Sequence, residues 1–508
     1  MIVTVKSAAL IGIDSHIIDV EVDTSPGLPQ FATVGLPDAA VKESKDRIRA
    51  AVKNSGYPFP RYRVTVNLSP ADIRKEGTGF DLPIAVAIVA SEGIVDSGIL
   101  SGYLFLGELS LDGRLKGVHG ALPAALAARD RGLRGIVLPR ENAAEAALVR
   151  GIEAIAADHL ADIVEHFGGR RVIEPQKALL FADSARNRNY PFDFSEVAGQ
   201  QQAKRALEIA AASSHNLLMI GPPGAGKTML AQRLLTILPD LSLEEALETT
   251  KIYSVAGFLA GRGDLMTTRP FRSPHHSISD AGLVGGGQTP RPGEISLAHN
   301  GVLFLDELPE FKRNVLEVLR QPLESGAVTI ARASQSVTYP SRFMLIAAMN
   351  PCPCGHFGDR HKACRCTQQQ IRQYRTKISG PLLDRIDIHV EVPSLRYREL
   401  AKTGTAESSN DIRNRVLAAR EIQLRRFGSP LQTNARMTSR EIRAFCPVDS
   451  DSRELLEMAV DKLGLSARAL SRVLKLARTI ADLAGEENIA AAQISEAIQY
   501  RSLDRTIF

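Results

Sequence analysis

The stretch LLMIGPPGAGKT, residues 217–228, decides the fold of the central part of this chain. Four apolar residues precede a glycine-rich loop of the form G-x-x-x-x-G-K-[ST], and the helix-like run MLAQRLLTIL (229–238) follows it. The backbone N–H groups of such a loop, with the start of a helix behind them, attract phosphate groups. The stretch therefore predicts a nucleotide-binding site on a strand–loop–helix unit.

Two side chains of this loop have chemistry of their own. The ammonium of Lys227 would contact the β- and γ-phosphates of a nucleoside triphosphate, and the hydroxyl of Thr228 would bind Mg²⁺. The predicted cofactor-binding residues are Gly221, Pro222, Pro223, Gly224, Ala225, Gly226, Lys227, Thr228 and Asp306.

Asp306 belongs to a second apolar run, GVLFLDELPE (301–310), which ends in an acidic pair. Two carboxylates at the end of a strand beside a phosphate loop supply two further groups that triphosphate hydrolysis requires, a magnesium ligand and a group that polarises water. Asp306 would hold the Mg²⁺, directly or through water, and Glu307 would polarise the attacking water. We therefore expect Thr228 and Asp306 to be magnesium ligands and Glu307 to be catalytic.

The composition is that of an ordinary globular protein. The chain has 508 residues, of which 44% are hydrophobic and 23% charged, with a net charge of +5; roughly two to four domains are expected. The amino terminus lacks the basic segment and the continuous apolar segment of a secretory signal, and no apolar run reaches about 18 residues. A cytoplasmic protein without a membrane span is therefore expected.

Basic residues are concentrated in two segments. Residues 360–377 contain six Lys or Arg and no acidic residue, and residues 412–443 contain eight Arg against two Glu. Such clusters suit a polyanionic partner such as DNA, although basic helical surfaces are also common without one. Aromatic residues make up only 5% of the chain and Trp is absent, which argues against a stacking surface for single strands.

Four of the five cysteines lie in the segment NPCPCGHFGDRHKACRC (350–366), in the pattern C-x-C-x₉-C-x-C. Four thiolates can bind Zn²⁺ tetrahedrally and so stabilise a charged insertion. The spacing is tighter than the common C-x₂-C pair, and His356 or His361 could replace one thiolate. The alternative is four reduced thiols without a metal. The predicted zinc ligands are Cys352, Cys354, Cys364 and Cys366.

Apolar periodicity divides the chain into parts of different architecture. Residues 1–168 mix strands and helices, residues 191–395 alternate them as in a doubly wound parallel sheet, and residues 396–508 are mainly helical. Residues 169–190 are predicted to be a linker, and the fold class is α/β. Strands are predicted at 63–70, 103–110, 135–139 and 341–351, and helices at 40–56, 81–93, 121–132 and 201–213.

The motifs GPPGAGKT, VLFLDEL, AAMNPCPCG, GPLLDRIDIHVEV and LSARALSRVLKLARTIADL follow one another in this order. As an ordered set they resemble an AAA+ ATPase and, more narrowly, the magnesium-chelatase-like YifB/ComM family, over essentially the whole chain. The resemblance implies an AAA+ core at 191–395 with a cysteine-rich insertion at 352–366, followed by a helical lid at 396–508. It also implies ATP and Mg²⁺ as cofactors.

The resemblance assigns roles to single residues. Asn350 is similar to the sensor-1 residue, whose amide contacts the γ-phosphate or the attacking water. Arg385 matches the arginine finger that acts on the ATP of a neighbouring subunit. Arg468 matches the sensor-2 arginine, and Arg472, one turn further along the helix, is the alternative. A finger that acts in trans implies a closed ring, a homo-hexamer in the resembled class.

The amino-terminal part resembles a Lon-protease-type α+β domain, in KEGTGFDLPIAVAIVASEG (75–93) and FLGELSLDGRLKGVHGALPAALAA (105–128). That protease class uses a Ser–Lys dyad, in which the Lys accepts the proton of the Ser hydroxyl. Gly79 and Ala124 occupy the two positions here, so peptidase activity is not expected. An interaction surface or a ring-stabilising role is expected instead.

The function implied by the resemblance is DNA remodelling driven by ATP hydrolysis, as a helicase or branch-migration factor in natural transformation or recombination. Single-stranded or branched DNA and recombination proteins would be its partners. A hairpin at GAVTIARASQSVTYP (326–340) would project into the channel of the ring, with Arg332 as a phosphate contact. A magnesium-chelatase-type motor subunit and a protein-remodelling ATPase are the alternatives. His275 and His276 are interpreted as polar loop residues rather than metal ligands.

Overall fold

The computed structural model describes residues 2–177, 190–259, 265–287, 290–332, 336–359, 362–394 and 407–501. Most of the predicted linker and residues 395–406 of the C-terminal part lie outside the described residues. The described chain contains a seven-stranded sheet, a five-stranded sheet, three two-stranded sheets and a set of C-terminal helices.

The strands are β1 Ile2–Ile11, β2 Asp14–Ser25, β3 Gln30–Val34, β4 Arg63–Ser69, β5 Tyr103–Phe105, β6 Glu108–Leu109, β7 Leu115–Lys116, β8 Gly135–Pro139, β9 Glu153–Ala157, β10 Leu217–Ile220, β11 Phe271–Arg272, β12 Gly285–Gly286, β13 Arg291–Pro292, β14 Val302–Leu305, β15 Ala327–Ala331, β16 Ser336–Pro340, β17 Met344–Met349 and β18 Ile388–Glu391.

The α-helices are α1 Ala39–Asn54, α2 Asp81–Ser91, α3 Ser97–Leu100, α4 Ala121–Asp130, α5 Arg140–Ala146, α6 Leu160–Phe167, α7 Gln201–Ser213, α8 Lys227–Ile237, α9 Leu243–Ala256, α10 Asp280–Val284, α11 Glu294–Leu297, α12 Arg313–Glu317, α13 Arg320–Ser325, α14 Gln368–Arg375, α15 Gly380–Leu383, α16 Ser409–Phe427, α17 Ser439–Phe445, α18 Ser450–Leu463, α19 Ala467–Ala484 and α20 Ala491–Gln499. None of the described helices is long and apolar enough to cross a membrane.

The amino-terminal sheet is mixed, in the order β3-β4-β2-β1-β5-β8-β9. Its core contains α2, in which every residue from Asp81 to Ser91 is buried. A helix that is apolar on all sides must be covered on all sides, and α2 packs against α1, β1 and β2. The predicted helices and strands of this part are confirmed, except that the run 103–110 is divided into β5 and β6.

The break between β5 and β6 falls at Gly107, where α2 begins close to the strand. The Gly107 carbonyl accepts a hydrogen bond from the backbone N–H of Leu82 at 3.0 Å, and the Gly107 N–H donates to the carbonyl of Gly79 at 3.0 Å. A Cβ on Gly107 would lie 3.2 Å from the Leu82 side chain. These contacts replace the strand's ladder hydrogen bonds, and nothing in the alternating pattern of 103–110 indicates them.

The central sheet is parallel throughout, in the order β11-β14-β17-β10-β18. The three strands β10, β14 and β17 contain only buried residues. Short apolar strands of this kind are covered by helices on both faces of a parallel sheet. The predicted parallel sheet is confirmed, and α7 covers the predicted residues 201–213.

A buried ionic cluster holds the C-terminal helices to one another. The carboxylate of Asp482 on α19 accepts hydrogen bonds from Arg426 at 2.6 and 2.7 Å, from Arg478 at 3.1 Å and from Asn434 at 2.7 Å. Asp482 is 2% exposed, so these partners compensate the desolvation of its charge. The helix α16 is held to α7 by the Gln423 amide, which donates to the Ala212 carbonyl at 2.9 Å.

The amino-terminal sheet contacts the central part around α9 and the β15–β16 hairpin. Lys251 on α9 forms an ion pair with Asp14 at 2.8 Å, and the backbone N–H of Gly120 donates to the carbonyl of Ser254 at 3.3 Å. Ile11 and Ile13, at the β1–β2 turn, pack against the apolar cluster that includes the hairpin. The two parts therefore share apolar, ionic and backbone contacts.

Candidate functional site

Three adjacent strands bring the predicted residues to one edge of the central sheet. The glycine-rich loop follows β10, Asp306 follows β14 and Asn350 follows β17, and β17 lies between the other two strands. The carboxyl ends of parallel strands meet at the same edge, which is where parallel α/β folds place their ligands. Lys227 and Asn350 are far apart in sequence, so the order of the strands is what brings them together.

Lys227 is the buried charge at the centre of this edge. Its Nζ donates to the carbonyls of Gly221 at 2.7 Å and Pro222 at 2.9 Å, and to Oδ1 of Asn350 at 3.2 Å. Burial lowers the pKa of Lys227, and the charges of Asp306 and Glu307 act in the opposite direction. The side chain is thus a desolvated ammonium that gains from an anionic ligand.

The pair Thr228 and Asp306 provides oxygen ligands for a divalent cation. The Thr228 hydroxyl donates to Oδ2 of Asp306 at 2.6 Å, although the two residues lie on different elements. Oδ1 of the same carboxylate accepts the backbone N–H of Glu307 at 2.9 Å. A hydroxyl and a carboxylate at this distance fit Mg²⁺, which prefers oxygen ligands and keeps several waters.

Steric and conformational constraints explain why these loop positions are occupied by glycine. A Cβ on Gly221 would lie 2.1 Å from the carbonyl oxygen of Val392, next to β18. Gly224 and Gly226 have φ of +76° and +84°, in the left-handed region that favours glycine. The loop is also supported from below, because the Gln200 amide donates to the Ala225 carbonyl at 2.7 Å.

Glu307 has a neighbour that the sequence did not indicate. Its carboxylate lies 3.3 Å from Nδ1 of His276, a residue interpreted from sequence as an ordinary loop residue. The His276 ring lies 4.0 Å from that of His275 and 6.4 Å from that of Phe311. Glu307 itself has φ of +52°, an uncommon conformation for this residue that clusters at functional positions.

Arg385 is buried, two residues after the end of α15. Its guanidinium donates to the Pro381 carbonyl and to the carboxylate of Glu324, which is 57% exposed. The buried Nε of Arg385 has no hydrogen-bond partner among the described residues. Burial lowers the pKa of Arg385; Glu324 opposes this effect, whereas Arg320, Arg468 and Arg472 add to it.

The two sensor-2 candidates have different surroundings. Arg472 forms an ion pair with the buried carboxylate of Asp387, two residues after Arg385. Arg468 is exposed and forms no hydrogen bond or ion pair with the part of the chain that the structure describes. Arg468 is therefore free to meet a ligand, whereas Arg472 connects α19 to the start of β18.

Asp387 joins three elements through one buried carboxylate. Its Oδ2 accepts the backbone N–H of Asn216 at 3.2 Å and lies 3.1 Å from Nδ1 of His215, and Nε2 of His215 lies 2.9 Å from the Thr479 hydroxyl. Burial alone would raise the pKa of Asp387, but Arg472 and His215 outweigh it and hold that pKa below the usual range. The sequence analysis did not include this network.

The four predicted zinc ligands come together behind the glycine-rich loop. Their sulfur atoms all lie within 4.8 Å of one another; the Cys352–Cys354, Cys352–Cys364 and Cys354–Cys364 distances are 3.4, 3.7 and 3.6 Å. Zn–S bonds of about 2.3 Å place tetrahedral ligands about 3.8 Å apart, so the spacing fits zinc. His361 lies outside the described residues, and His356 contacts Asp359 at 3.2 Å instead.

The cysteine cluster also touches the glycine-rich loop. A Cβ on Gly355 would lie 2.5 Å from Cδ of Pro223. Backbone N–H groups of Phe357 and Cys366 point at the sulfurs of Cys352 and Cys364, at 3.3 and 3.4 Å, as is common around metal-binding thiolates. The cluster therefore buttresses the loop from the side of Asn350.

Within the described residues 2–177, no Ser–Lys pair occupies the two dyad positions. A Cβ on Gly79 would lie 3.0 Å from the Leu106 side chain, and Ala124 is buried. The nearby Thr78 hydroxyl donates to the Glu108 carboxylate. That this part lacks peptidase activity stays a prediction.

Comparison with known proteins gives three family matches along the chain. Residues 20–142 match "Subunit ChlI of Mg-chelatase", residues 193–400 match "Magnesium chelatase, subunit ChlI", and residues 406–501 match the C-terminal part of that subunit. Together these matches cover most of the chain, including every residue of the predicted site.

Similar proteins span nearly the same length. The chain is 46% identical to the competence protein ComM of Haemophilus influenzae, over 99% of this chain and 98% of that protein. It is 46% identical to YifB of Escherichia coli, over 99% and 97% of the two chains. The magnesium-chelatase 38 kDa subunit of Rhodobacter capsulatus is 26% identical over 45% of this chain and 69% of that subunit.

Proposed function

The chain belongs to the magnesium-chelatase-like YifB/ComM family of AAA+ ATPases, and we propose that it forms a ring that couples ATP hydrolysis to the remodelling of DNA. The observation that carries the ATPase part is the meeting of Lys227, Thr228, Asp306 and Asn350 at one sheet edge. Each of these groups has one task in triphosphate chemistry, and their mutual distances allow all four to act on one ligand.

The proposed hydrolysis divides charge stabilisation from water activation. Lys227 holds the β- and γ-phosphates, and Asn350, now 3.2 Å from its Nζ, holds the γ-phosphate or the attacking water. Thr228 and Asp306 hold Mg²⁺, which supplies positive charge to the phosphate oxygens when bound. Glu307 polarises the water, and the contact with His276 orients its carboxylate.

We propose that Arg385 completes the site of a neighbouring subunit. In the single chain Arg385 is buried, and its guanidinium bonds to the exposed Glu324 rather than to the groups around Lys227. Exchange of this surface carboxylate for the phosphate of a neighbouring subunit would suit a finger that stabilises transition-state charge in trans. The proposal implies a closed ring, for which we propose a homo-hexamer, and it assigns sensor 2 to the exposed Arg468.

The β15–β16 hairpin supports a nucleic-acid partner. Val328, Ile330, Val337 and Tyr339 are buried on one face. Thr329 and Thr338 are exposed on the other, 3.0 Å apart, and the exposed Arg332 follows β15. A hairpin with one apolar and one hydroxyl-rich, basic face can be held by the protein while it contacts a phosphate backbone. We propose that single-stranded or branched DNA binds here, with recombination proteins as further partners.

The relatives favour DNA remodelling over chelation, although both remain candidates. The Haemophilus influenzae relative is a competence protein, which supports a helicase or branch-migration role in natural transformation. The magnesium-chelatase subunit supports the alternative of a chelatase-type motor, but it aligns with less than half of the chain. A protein-remodelling ATPase is the third candidate.

We propose that Cys352, Cys354, Cys364 and Cys366 hold a structural Zn²⁺. Four thiolates would leave no open coordination position, so the ion would be structural rather than catalytic. It would fix the insertion 352–366 that touches Pro223.

We also propose that the chain divides into four parts. They are a Lon-protease-like module at 1–168, a linker at 169–190, the ATPase core at 191–395 and a helical lid at 396–508.

Two variants test the proposed ATPase site. Lys227→Ala removes the charge that binds the phosphates, and we expect at least tenfold weaker binding of a fluorescent ATP analogue. Glu307→Gln keeps the binding groups, so it should bind the analogue normally while kcat falls by about 10²–10⁴. Normal turnover by either folded variant would contradict the assignment.

Mixing inactive subunits tests the action of Arg385 in trans. Arg385→Ala rings should bind ATP but hydrolyse it slowly, since the transition-state charge is not stabilised. Lys227→Ala subunits still carry Arg385, so mixing the two inactive variants should restore part of the ATPase rate. The matched control is a mixture in which the Lys227→Ala chains also carry Arg385→Ala. Equal rates in both mixtures would rule out action between subunits.

The hairpin proposal predicts a salt-dependent DNA contact. Arg332→Gln should weaken binding of single-stranded DNA and lower the slope of log K against log salt by about 1, the loss of one phosphate contact. Arg150→Gln, an exposed arginine outside the hairpin, is the control. Binding is measured by fluorescence anisotropy at several salt concentrations, with ATPase rates measured with and without DNA. Absence of DNA binding at low salt would exclude the DNA motor.

Metal analysis tests the zinc proposal. Protein purified without chelator should contain about one zinc per chain, and a double Cys364→Ser, Cys366→Ser variant should contain none, because two thiolates do not hold the ion. Cys446→Ala removes a buried cysteine outside the cluster and should keep its zinc. A wild-type protein without stoichiometric metal would reject the site.

A further inference from the structure

A cavity of about 390 Å³ lies at the opposite edge of the central sheet from the glycine-rich loop. Its walls include Ser214, which precedes β10, Gly301, which precedes β14, and Met344, which begins β17. These are the amino ends of the same three strands whose carboxyl ends carry the ATPase residues. We call it the amino-edge cavity. With strands of four to six residues and about 3.3 Å per residue, it is separate from the phosphate loop.

Four arginines line the amino-edge cavity. Arg269 and Arg342 come from the central part, and Arg420 and Arg436 come from the C-terminal helices and the turn that follows α16. Arg269 is neutralised by Glu245, with Nη1 and Nη2 at 3.1 and 3.0 Å from the two carboxylate oxygens. The other three arginines enter no ion pair within the described ranges.

The other two acidic residues of the wall do not compensate this charge. Asp240 forms an ion pair with Arg413 at 2.8 Å, and Glu421 is exposed. The balance of the wall is thus positive. Placing like charges in a partly desolvated cavity costs free energy unless an anion is present to interact with them.

The hydrogen bonds of these arginines leave donors available. Arg420 donates through Nη2 to the Ser214 hydroxyl at 2.6 Å and to the Ala211 carbonyl at 3.3 Å, whereas its buried Nε has no partner among the described residues. Arg436 donates through Nη1 to the Leu431 carbonyl at 3.0 Å. Both guanidiniums are therefore positioned by neutral groups and keep their charge for another ligand.

The electrostatics agree with the hydrogen bonds. Burial lowers the pKa of Arg420 to about 9, and the charges of Arg269 and Arg436 act in the same direction. Burial likewise lowers the pKa of Arg436 to about 10, with Arg342 and Arg269 adding to the effect and Glu245 opposing it. The charges of the four arginines therefore repel one another, and an anion in the cavity would reduce this repulsion.

Apolar side chains form another part of the wall and limit the type of ligand. They are Leu238, Leu241, Leu424, Phe343 and Met344. A cavity of a few hundred Å³ with an apolar wall and a few convergent charges is typical of small-molecule sites. Arginine forks match phosphate oxygens in geometry as well as charge.

We propose that the amino-edge cavity binds a small phosphorylated organic molecule, with its phosphate held by Arg342, Arg420 and Arg436 and its organic part held against the leucines and Phe343. The ligand would contact the central part and the C-terminal helices at once. It would thus stabilise their relative position from the edge opposite to ATP, which gives the family fold a second, non-catalytic ligand site.

Calorimetric titration of the full chain tests the site. Titrations are done in Lys227→Ala protein, so that phosphate binding at the glycine-rich loop is suppressed. The probes are pyrophosphate, inorganic phosphate and AMP at fixed ionic strength. Arg420→Gln should weaken pyrophosphate binding about tenfold or more, the effect of losing a charge-assisted hydrogen bond. Arg425→Gln, an exposed arginine on the same helix, should leave the affinity unchanged.

Arg436→Gln provides a second test if Arg420→Gln fails to fold, which circular dichroism would show. AMP should bind more tightly than inorganic phosphate in the unsubstituted cavity, because its organic part contacts the apolar wall. Equal affinities for pyrophosphate in the cavity and control variants would overturn the site. The absence of binding by every probe up to about 10 mM would do so too. AMP binding no tighter than phosphate would overturn the assignment of an organic ligand.

Discussion

The structure depends on one constraint, the common end point of three short parallel strands. Strands β10, β14 and β17 are buried on both faces, so they are held in register by helices on each side rather than by their own few hydrogen bonds. Their shared carboxyl edge places the Lys227 ammonium against the Asn350 amide and the Thr228 hydroxyl against the Asp306 carboxylate. A one-residue slip of β17 would separate Asn350 from Lys227 and turn buried side chains towards the other face.

A second constraint connects the opposite edge, at the amino ends of β10 and β18, to the C-terminal helices. Asp387 is bound by Arg472 of α19 and by His215 at the start of β10, and it lies two residues from Arg385. Removing one partner of a buried charge costs about 3–5 kcal/mol, so these elements are strongly coupled. A movement of α19 that breaks the contact between Arg472 and Asp387 would therefore change the position of the segment that carries Arg385. The network gives a physical route between the C-terminal helices and the residue that we propose to act on a neighbouring subunit.

Local patterns were sufficient for the features whose parts adjoin in sequence. The glycine-rich loop, the acidic pair after β14, the four cysteines and helix α7 each depend on spacing within a short segment, and the structure places these residues as the spacing indicates. His276, Asp387 and His215 were not recognised, because their partners lie on other elements and each residue alone has no diagnostic spacing. Gly107 interrupts its strand for a similar reason, since the cause is the approach of α2. The arginines of the amino-edge cavity lie between 269 and 436, and only the fold brings them together.

The two edges of the central sheet differ in the charge that a bound ligand would balance. At the carboxyl edge one buried ammonium is accompanied by Asp306 and Glu307, so a metal–phosphate ligand is needed to balance charges of both signs. At the amino edge the cavity wall carries an excess of positive charge, because Glu245 and Asp240 are paired with Arg269 and Arg413. Two contacts of the C-terminal helices lie at this amino edge: α19 binds Asp387, which precedes β18, and α16 supplies Arg420 to the cavity. The helix α16 also packs on α19 and is held to α7 by the hydrogen bond from Gln423 to Ala212. A ligand at the amino edge would therefore act on the helices that carry Arg472, and through Asp387 on the segment that carries Arg385.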